Sequence, residues 1–300
     1  MSALTIKKYG AIDIGSNAIR LLVSNIVIKE GKETQFKKSS LVRVPIRLGA
    51  DAFVKGFISD ENITRMVNAM KAFKLLMDVH NVERYKACAT SAMREAKNGD
   101  EVVAEILDKT GIQIDIIGGK EEAAIISSTD LNQLIEGDNS YLYVDVGGGS
   151  TEFTIFSGGK ITNSKSFKMG TVRLLNNKKS VNKEIFANVE KWITKNTKNL
   201  KKIALIGSGG NINKLFKMSG RTEGKPISYI YLNAQYQFLK QMSYQERISE
   251  LSLNPDRADV IIPATKIYLS AMKWSGSRKI YVPKIGLADG IIKSLYYNKL

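Results

Sequence analysis

One short pattern occurs twice in this chain and limits what it can fold into. Ala11-Ile12-Asp13-Ile14-Gly15-Ser16-Asn17 and Tyr143-Val144-Asp145-Val146-Gly147-Gly148-Gly149-Ser150 each run an apolar strand into an aspartate and then into a tight turn of Gly, Ser or Asn. A second apolar strand follows in both copies, Ile19 to Ile28 and Thr151 to Phe156. Small turn residues let backbone N–H groups approach an anion closely, and the neighbouring carboxylate can hold a divalent cation or a water. A single turn of this kind is ordinary hairpin punctuation. Two of them, with matched flanking strands, predict a duplicated fold whose halves face each other across a phosphate-binding cleft.

Hydrophobic periodicity fills in both halves. Thr34 to Val44 reads as a third strand, and a helix starting at Ser59-Asp60-Glu61 repeats Ile63, Met66, Val67, Met70, Phe73, Leu76 and Met77 at helical spacing. A strand at 83–90 leads into Thr90-Ser91-Ala92-Met93-Arg94, then a helix at 99–110 with Gly111 placed to cap it, a strand at 112–117, and a helix from Lys120. The second half predicts strands near 141–146, 151–157 and 160–168 and helices near 170–177 and 182–198. A buried strand at 202–206 then enters Gly207-Ser208-Gly209-Gly210 and a helix at 211–219; 233–250, 255–274 and 286–298 read as helical, with a short strand at 279–282. Strands alternating with crossover helices, twice over, predict α/β architecture. The chain has 300 residues, enough for two domains of about 150 each. They are expected at 1–124 and 125–300, with the last helix, about 286–300, packing back on the first lobe.

Charge and rare residues exclude several chemistries. The chain carries +16, unevenly: residues 1–124 hold 19 Lys and Arg against 16 Asp and Glu, whereas 125–300 hold 26 against 13. A positive field of that size concentrates polyanions. His80 is the only histidine, so a multi-His metal centre, a zinc site and a His-containing triad are unavailable; it is expected as a solvated residue ending a helix. The single cysteine, Cys88, cannot form an internal disulfide and sits in a buried strand pattern. No apolar run approaches the roughly 18 residues of a membrane span, and Met1 to Tyr9 lacks a leader pattern. The expectation is a cytoplasmic protein with no membrane association.

Eight ordered motifs give a family resemblance. They are Ala11–Leu22, Thr90–Ala96, Ile116–Ala123, Val144–Glu152, Met169–Leu174, Ile206–Gly210, Arg257–Pro263 and Gly286–Gly290. Together they resemble the exopolyphosphatase / guanosine pentaphosphate phosphohydrolase family, in the superfamily of actin, sugar kinases and heat-shock chaperone ATPases. The resemblance implies two similar actin-like (ribonuclease H-like) lobes with an interdomain active site, a divalent metal such as Mg²⁺, and hydrolysis of a terminal phosphate from a phosphoanhydride chain. With an end at Leu300 and one histidine, the chain resembles the short form that lacks a C-terminal helical phosphohydrolase domain. Two departures are visible: Gly118 stands where the family usually has Ser or Thr, and Ser166-Phe167-Lys168-Met169-Gly170 replaces a common Ser-Leu-Pro-Leu-Gly.

Hydrolysing a phosphoanhydride requires an oriented water and neutralised phosphate charge, so catalysis is mostly positioning and electrostatics. The resemblance implies Glu122 as the general base, with Glu121 supporting it; both also suit a helix's first turn as simple dipole partners. Asp13 and Asp145, at equivalent strand ends, suit Mg²⁺ held directly or through water, and Glu152 its outer shell. Amides at Gly15, Ser16, Asn17, Gly147, Gly148, Gly149 and Ser150 would cradle phosphates. Arg94 would clamp phosphate oxygens bidentately, and Arg20 and Arg173 are further candidates. Gly209 and Gly210 would border the phosphate track, with Lys165, Lys168, Lys178, Lys179, Lys214 and Lys217 on a basic path. The expected partner is inorganic polyphosphate or guanosine pentaphosphate. The helices near 233–274 suit either a homodimer contact or core packing. An ATP-dependent kinase of the same superfamily would lack the Glu121-Glu122 motif with Arg94. A nucleic-acid binder has only charge in its favour, because no aromatic-interleaved basic motif occurs.

Overall fold

The computed structural model describes residues 4–127, 129, 139–200 and 202–300. The chain forms two compact units, Met1–Thr129 with Ile285–Leu300, and Asp130–Lys284. A division between 124 and 125 would cut the helix Gly119–Ser127, which lies wholly in the first unit.

The first unit opens with β1 (Leu4–Ile14), β2 (Ile19–Lys29) and β3 (Gln35–Val44), followed by α1 (Leu48–Ala52) and α2 (Asp60–Val79). It continues with β4 (Arg84–Ala89), α3 (Ser91–Glu95), α4 (Gly99–Thr110), β5 (Ile114–Ile116) and α5 (Gly119–Ser127). Its sheet has the order β3-β2-β1-β4-β5, antiparallel through the three-strand meander and parallel from β1 to β5. Alternation decides which face is apolar. Ile12, Ile14, Ile19, Leu21 and Val23 share a core with Met66, Met70 and Phe73 of α2 and Val102 and Ile106 of α4. Each such buried side chain stabilises the fold by about 1.5–3 kcal/mol relative to exposure. Gly111 ends α4 in the left-handed region, φ 72°, where a side chain would strain the backbone. His80 ends α2 and is half-buried.

The second unit repeats the plan with β6 (Ser140–Val146), β7 (Thr151–Ser157), β8 (Lys160–Phe167), α6 (Thr171–Asn176), α7 (Lys179–Thr197), β9 (Ile203–Ser208) and α8 (Gly210–Met218). Then come β10 (Ile227–Ser228), α9 (Tyr229–Gln241), α10 (Tyr244–Ser249), α11 (Pro255–Ala258), α12 (Ile261–Ser275) and β11 (Lys279–Tyr281). The order β10-β11-β9-β6-β7-β8 matches the first sheet strand for strand, with β10 added at one edge. The helix expected over 233–250 is two, because Ser243 and Glu246 form a reciprocal cap that starts α10. The helix expected over 255–274 also breaks: Pro263 cannot donate to the preceding turn, so α12 begins just before it, where that donor is not needed. Leu232 and Leu239 of α9 and Ile261, Ala264, Ile267 and Met272 of α12 lie in this unit's own core. The last helix, α13 (Leu287–Tyr296), returns to the first unit and packs on α5, β1, β4 and β2. Lys38 of β3 pairs with Asp289 at 2.8 Å, and Asp289 also caps α13 by accepting from the Gly286 amide.

Candidate active site

In the first unit the chemistry-bearing residues gather at the carboxyl ends of β1, β4 and β5, the end where parallel α/β sheets place ligands. Gly15 to Ala18 closes the β1–β2 hairpin, with the Gly15 amide donating to the Ala18 carbonyl at 3.2 Å. That amide is therefore committed to the turn, so it does not serve the anion-facing role expected of it. Asp13 is buried, and Arg20, its cross-strand partner on β2, reaches its Oδ2 at 2.7 Å. The pair fixes both side chains, so Asp13 orients a guanidinium. Ser16 Oγ lies 3.0 Å from Ser91 Oγ, which ties the hairpin turn to the start of α3. Arg94, at the exposed end of α3, donates to the Ile117 carbonyl at 2.6 Å. That carbonyl immediately precedes the Gly118-Gly119 turn into α5, so Arg94 braces the segment delivering Glu121 and Glu122. Burial separates the two acids: Glu122 is 9% exposed, whereas Glu121 lies open to solvent.

Cys88 is a reduced, fully buried thiol beside Asp13 in the sheet. Burial pushes it up to about 12, with Asp115, Asp13 and Glu121 opposing ionisation and Lys86 favouring it. It is no nucleophile at neutral pH.

The second unit places an equivalent turn after β6. The Gly147 amide donates to the Ser150 carbonyl at 3.0 Å, so this amide too is used in closing the turn. Ser150 Oγ and Ser166 Oγ both donate to Glu152 Oε1, at 2.7 and 2.8 Å. Glu152, 2% exposed, is an anchor for the turn. Asp145 is opposite Glu152 in register, half-buried, and close to the β9–α8 turn. Gly209 in that turn has φ 116°, and a Cβ there would stand 2.9 Å from the Val146 carbonyl oxygen and 3.3 Å from the Tyr268 hydroxyl. Tyr268 donates to the Ser208 carbonyl, and burial, reinforced by Asp145, pushes its phenol well above its ordinary value. It thus stays a donor that braces the turn. Arg173 donates from Nε to the Gly149 carbonyl at 2.9 Å. On α8, burial and the adjacent charges of Lys217 and Arg257 pull Lys214 down, so cations crowd that helix.

Oxygen donors of this kind suit a hard cation, and Mg²⁺ is commonly held by one or two carboxylates with substrate phosphates and water completing its shell. Among the described residues no group of three or more His, Cys, Asp or Glu is arranged to hold a metal ion by itself. Asp13 Oδ2 carries Arg20 and Glu152 Oε1 carries two hydroxyls, while Asp145 stands at the strand end equivalent to that of Asp13.

Arg47, Gly49 and Tyr268 lie outside the quoted motifs, and Gly170 lies within Met169–Leu174 without an assigned role. Arg47 and Gly49 stand just beyond β3, and Gly170 just beyond β8, so a glycine following the third strand in each half was the available signal.

The profile of the Ppx/GppA phosphatase family matches residues 27–299. The chain is 30% identical over 317 aligned positions to a bifunctional 3-dehydroquinate synthase/phosphatase of Fusobacterium nucleatum, covering 96% of this chain and 46% of that one. It is 30% identical over 176 positions to exopolyphosphatase 2 of Mycobacterium tuberculosis, covering 57% and 54%. The chain thus spans about half the length of these curated relatives. The crystal structure of the Aquifex aeolicus member of the family superposes with a TM-score of 0.78 at 25% identity, over 98% of this chain and 99% of that one. The fold is therefore the actin-like pair of α/β units. Among the described residues no helix is long and apolar enough to cross a membrane.

Proposed function

The chain belongs to the Ppx/GppA phosphatase family, and on that premise we propose that it is a phosphoanhydride hydrolase releasing terminal orthophosphate from inorganic polyphosphate. The observation that carries the reading is Glu122, a carboxylate buried in the first turn of α5 at the strand ends that also bear the Asp13 turn. There it would accept a proton from the attacking water, while its exposed neighbour Glu121 contributes only to the local field. Arg94 would hold the α5 start in place and Arg20, oriented by Asp13, would offer a guanidinium to phosphate oxygens. Amides of Gly148, Gly149 and Ser150 would bind further phosphoryl groups. Mg²⁺ held by Asp145 would neutralise charge on the phosphate oxygens.

The charge of the second half favours a long linear polyanion over a nucleotide, since its excess cations, including Lys214 and Lys217, extend far beyond what one terminal phosphate requires. Phosphate release from polyphosphates of graded length, beside guanosine pentaphosphate, tests this. A specificity constant rising with chain length supports the reading; preference for the nucleotide overturns it in favour of the 5′-phosphohydrolase.

A further inference from the structure

The duplicated turns share a device that neither the repeated motif nor the family resemblance assigns. In the first unit, the backbone amides of Gly49 and Arg47, at the start of α1, donate to the carbonyls of Ser16 and Asn17 at 2.7 and 3.0 Å. In the second, the amides of Thr171 and Val172, at the start of α6, donate to the carbonyls of Gly147 and Gly148 at 3.0 and 2.9 Å, and Arg173 adds its amide to Gly148 at 3.2 Å. The Arg173 side chain takes the next carbonyl, Gly149, through Nε at 2.9 Å. A trans peptide is planar, with its N–H antiparallel to its C=O. Carbonyls turned onto α6 at Gly147, Gly148 and Gly149 therefore direct the following N–H groups, those of Gly148, Gly149 and Ser150, away from it. Successive N–H groups aimed one way form an anion-binding concavity.

We propose that Gly170 and Arg173 are positioning residues that aim these amides. Gly170 is required by proximity: a Cβ there would overlap the Gly148 carbonyl and the Gly149 backbone. Its backbone is extended, so no strained φ is involved. Arg173 secures the last of the three carbonyls, which the α6 backbone does not take. The first unit meets the same demand with Gly49, whose added Cβ would stand 3.0 Å from Ser16 Cβ, and with Arg47, held in the left-handed region at φ 61°. A non-glycine residue kept there marks a backbone that the surroundings over-determine.

The inference deepens the proposed function, and its test separates the two. Arg173→Ala and Gly170→Ala are compared with the unaltered chain in phosphate release from polyphosphate over a salt series and in calorimetric binding of tripolyphosphate. The expected result for Arg173→Ala is KM up roughly tenfold and tripolyphosphate binding weaker by the same factor, with kcat within about twofold, as for loss of one charge-assisted hydrogen bond. The slope of log KM against log salt stays unchanged, because no phosphate contact is lost. Gly170→Ala, which alters no charge, gives the same KM effect. Unchanged KM and binding in Arg173→Ala, or a flattened salt slope indicating direct phosphate contact, overturns the proposal. If the unaltered chain binds tripolyphosphate but hydrolyses no polyphosphate, the functional reading fails while binding by the variants still decides this one. If it binds no tripolyphosphate, the inference falls whatever the activity.

Discussion

Gly290 of α13 is the position where a single methyl group should disturb the chemistry from a distance. A Cβ added there would stand 2.8 Å from both the carbonyl carbon and Cγ2 of Ile125 in α5, and closer still to the Ile125 carbonyl oxygen. Ordinary carbon contacts begin near 3.4 Å, so α13 and α5 would have to separate by about 1 Å, and misplacement on that scale costs roughly 100-fold in rate. Glu122 lies one helical turn before Ile125, so the shift reaches the proposed base directly. Overpacking costs about 1–3 kcal/mol, and the helix propensity of Ala over Gly returns about 1 kcal/mol. Gly290→Ala should therefore melt within a few degrees of the unaltered protein yet lose most of its kcat, with KM little changed. Steady-state phosphate release and thermal unfolding on the same preparation check this. Full kcat with an unaltered melting temperature would refute the claim that the α13–α5 contact sets Glu122.

Three further outcomes follow from the first unit. Burial alone would raise the Asp51 carboxyl, but hydrogen bonds from Lys55, Ser59 and Asn62 outweigh it and hold the group at about 2. A carboxyl depressed in the folded state stabilises above its unfolded value of about 4 and loses that contribution as pH falls toward 2. Asp51→Asn should thus cost about 1–2 kcal/mol at pH 7, discounted for solvent near Lys55, and flatten the fall in urea-unfolding stability between pH 4 and 2. Cys88, raised to about 12 and fully buried, should resist a thiol reagent at pH 8 in the native protein and react in urea; rapid native labelling contradicts its placement. Arg47→Gly should relieve the left-handed backbone and raise unfolding free energy by about 1 kcal/mol, measured by urea titration; a loss of stability would show that the side chain matters more than the strain.

Much of this was legible from residue pattern because the two halves are built on strong local signals. Alternating apolar residues gave the meander strands their faces, and Gly111 ended α4 where its position allowed. The Asp-Gly turns were found because their composition is unusual between apolar runs. Less was visible where geometry arises from packing. α1 and α3 are five residues long, too short for periodicity to declare them. Residue pattern alone leaves Glu121 and Glu122 alike; the family resemblance singles out Glu122, and tertiary burial separates the two in the structure. Gly15 and Gly147 carry the motif's amides, yet both N–H groups close their own turns. Gly170 and Gly49 depend on approach between segments separated in the chain, which no local window reports. Glu152, expected in a metal's outer shell, also accepts from two serine hydroxyls at Oε1, one of them fourteen residues away, which no local window reports.

Glu122, in the function proposed above, drives water onto a terminal phosphoryl group. Its most direct test is phosphate release from long-chain polyphosphate by Glu122→Gln and Glu121→Gln beside the unaltered chain, with tripolyphosphate binding measured on each. Expected are a kcat at least about 100-fold lower for Glu122→Gln, binding retained, and near-normal turnover for Glu121→Gln. Equal turnover in Glu122→Gln, or a loss confined to Glu121→Gln, would contradict that role.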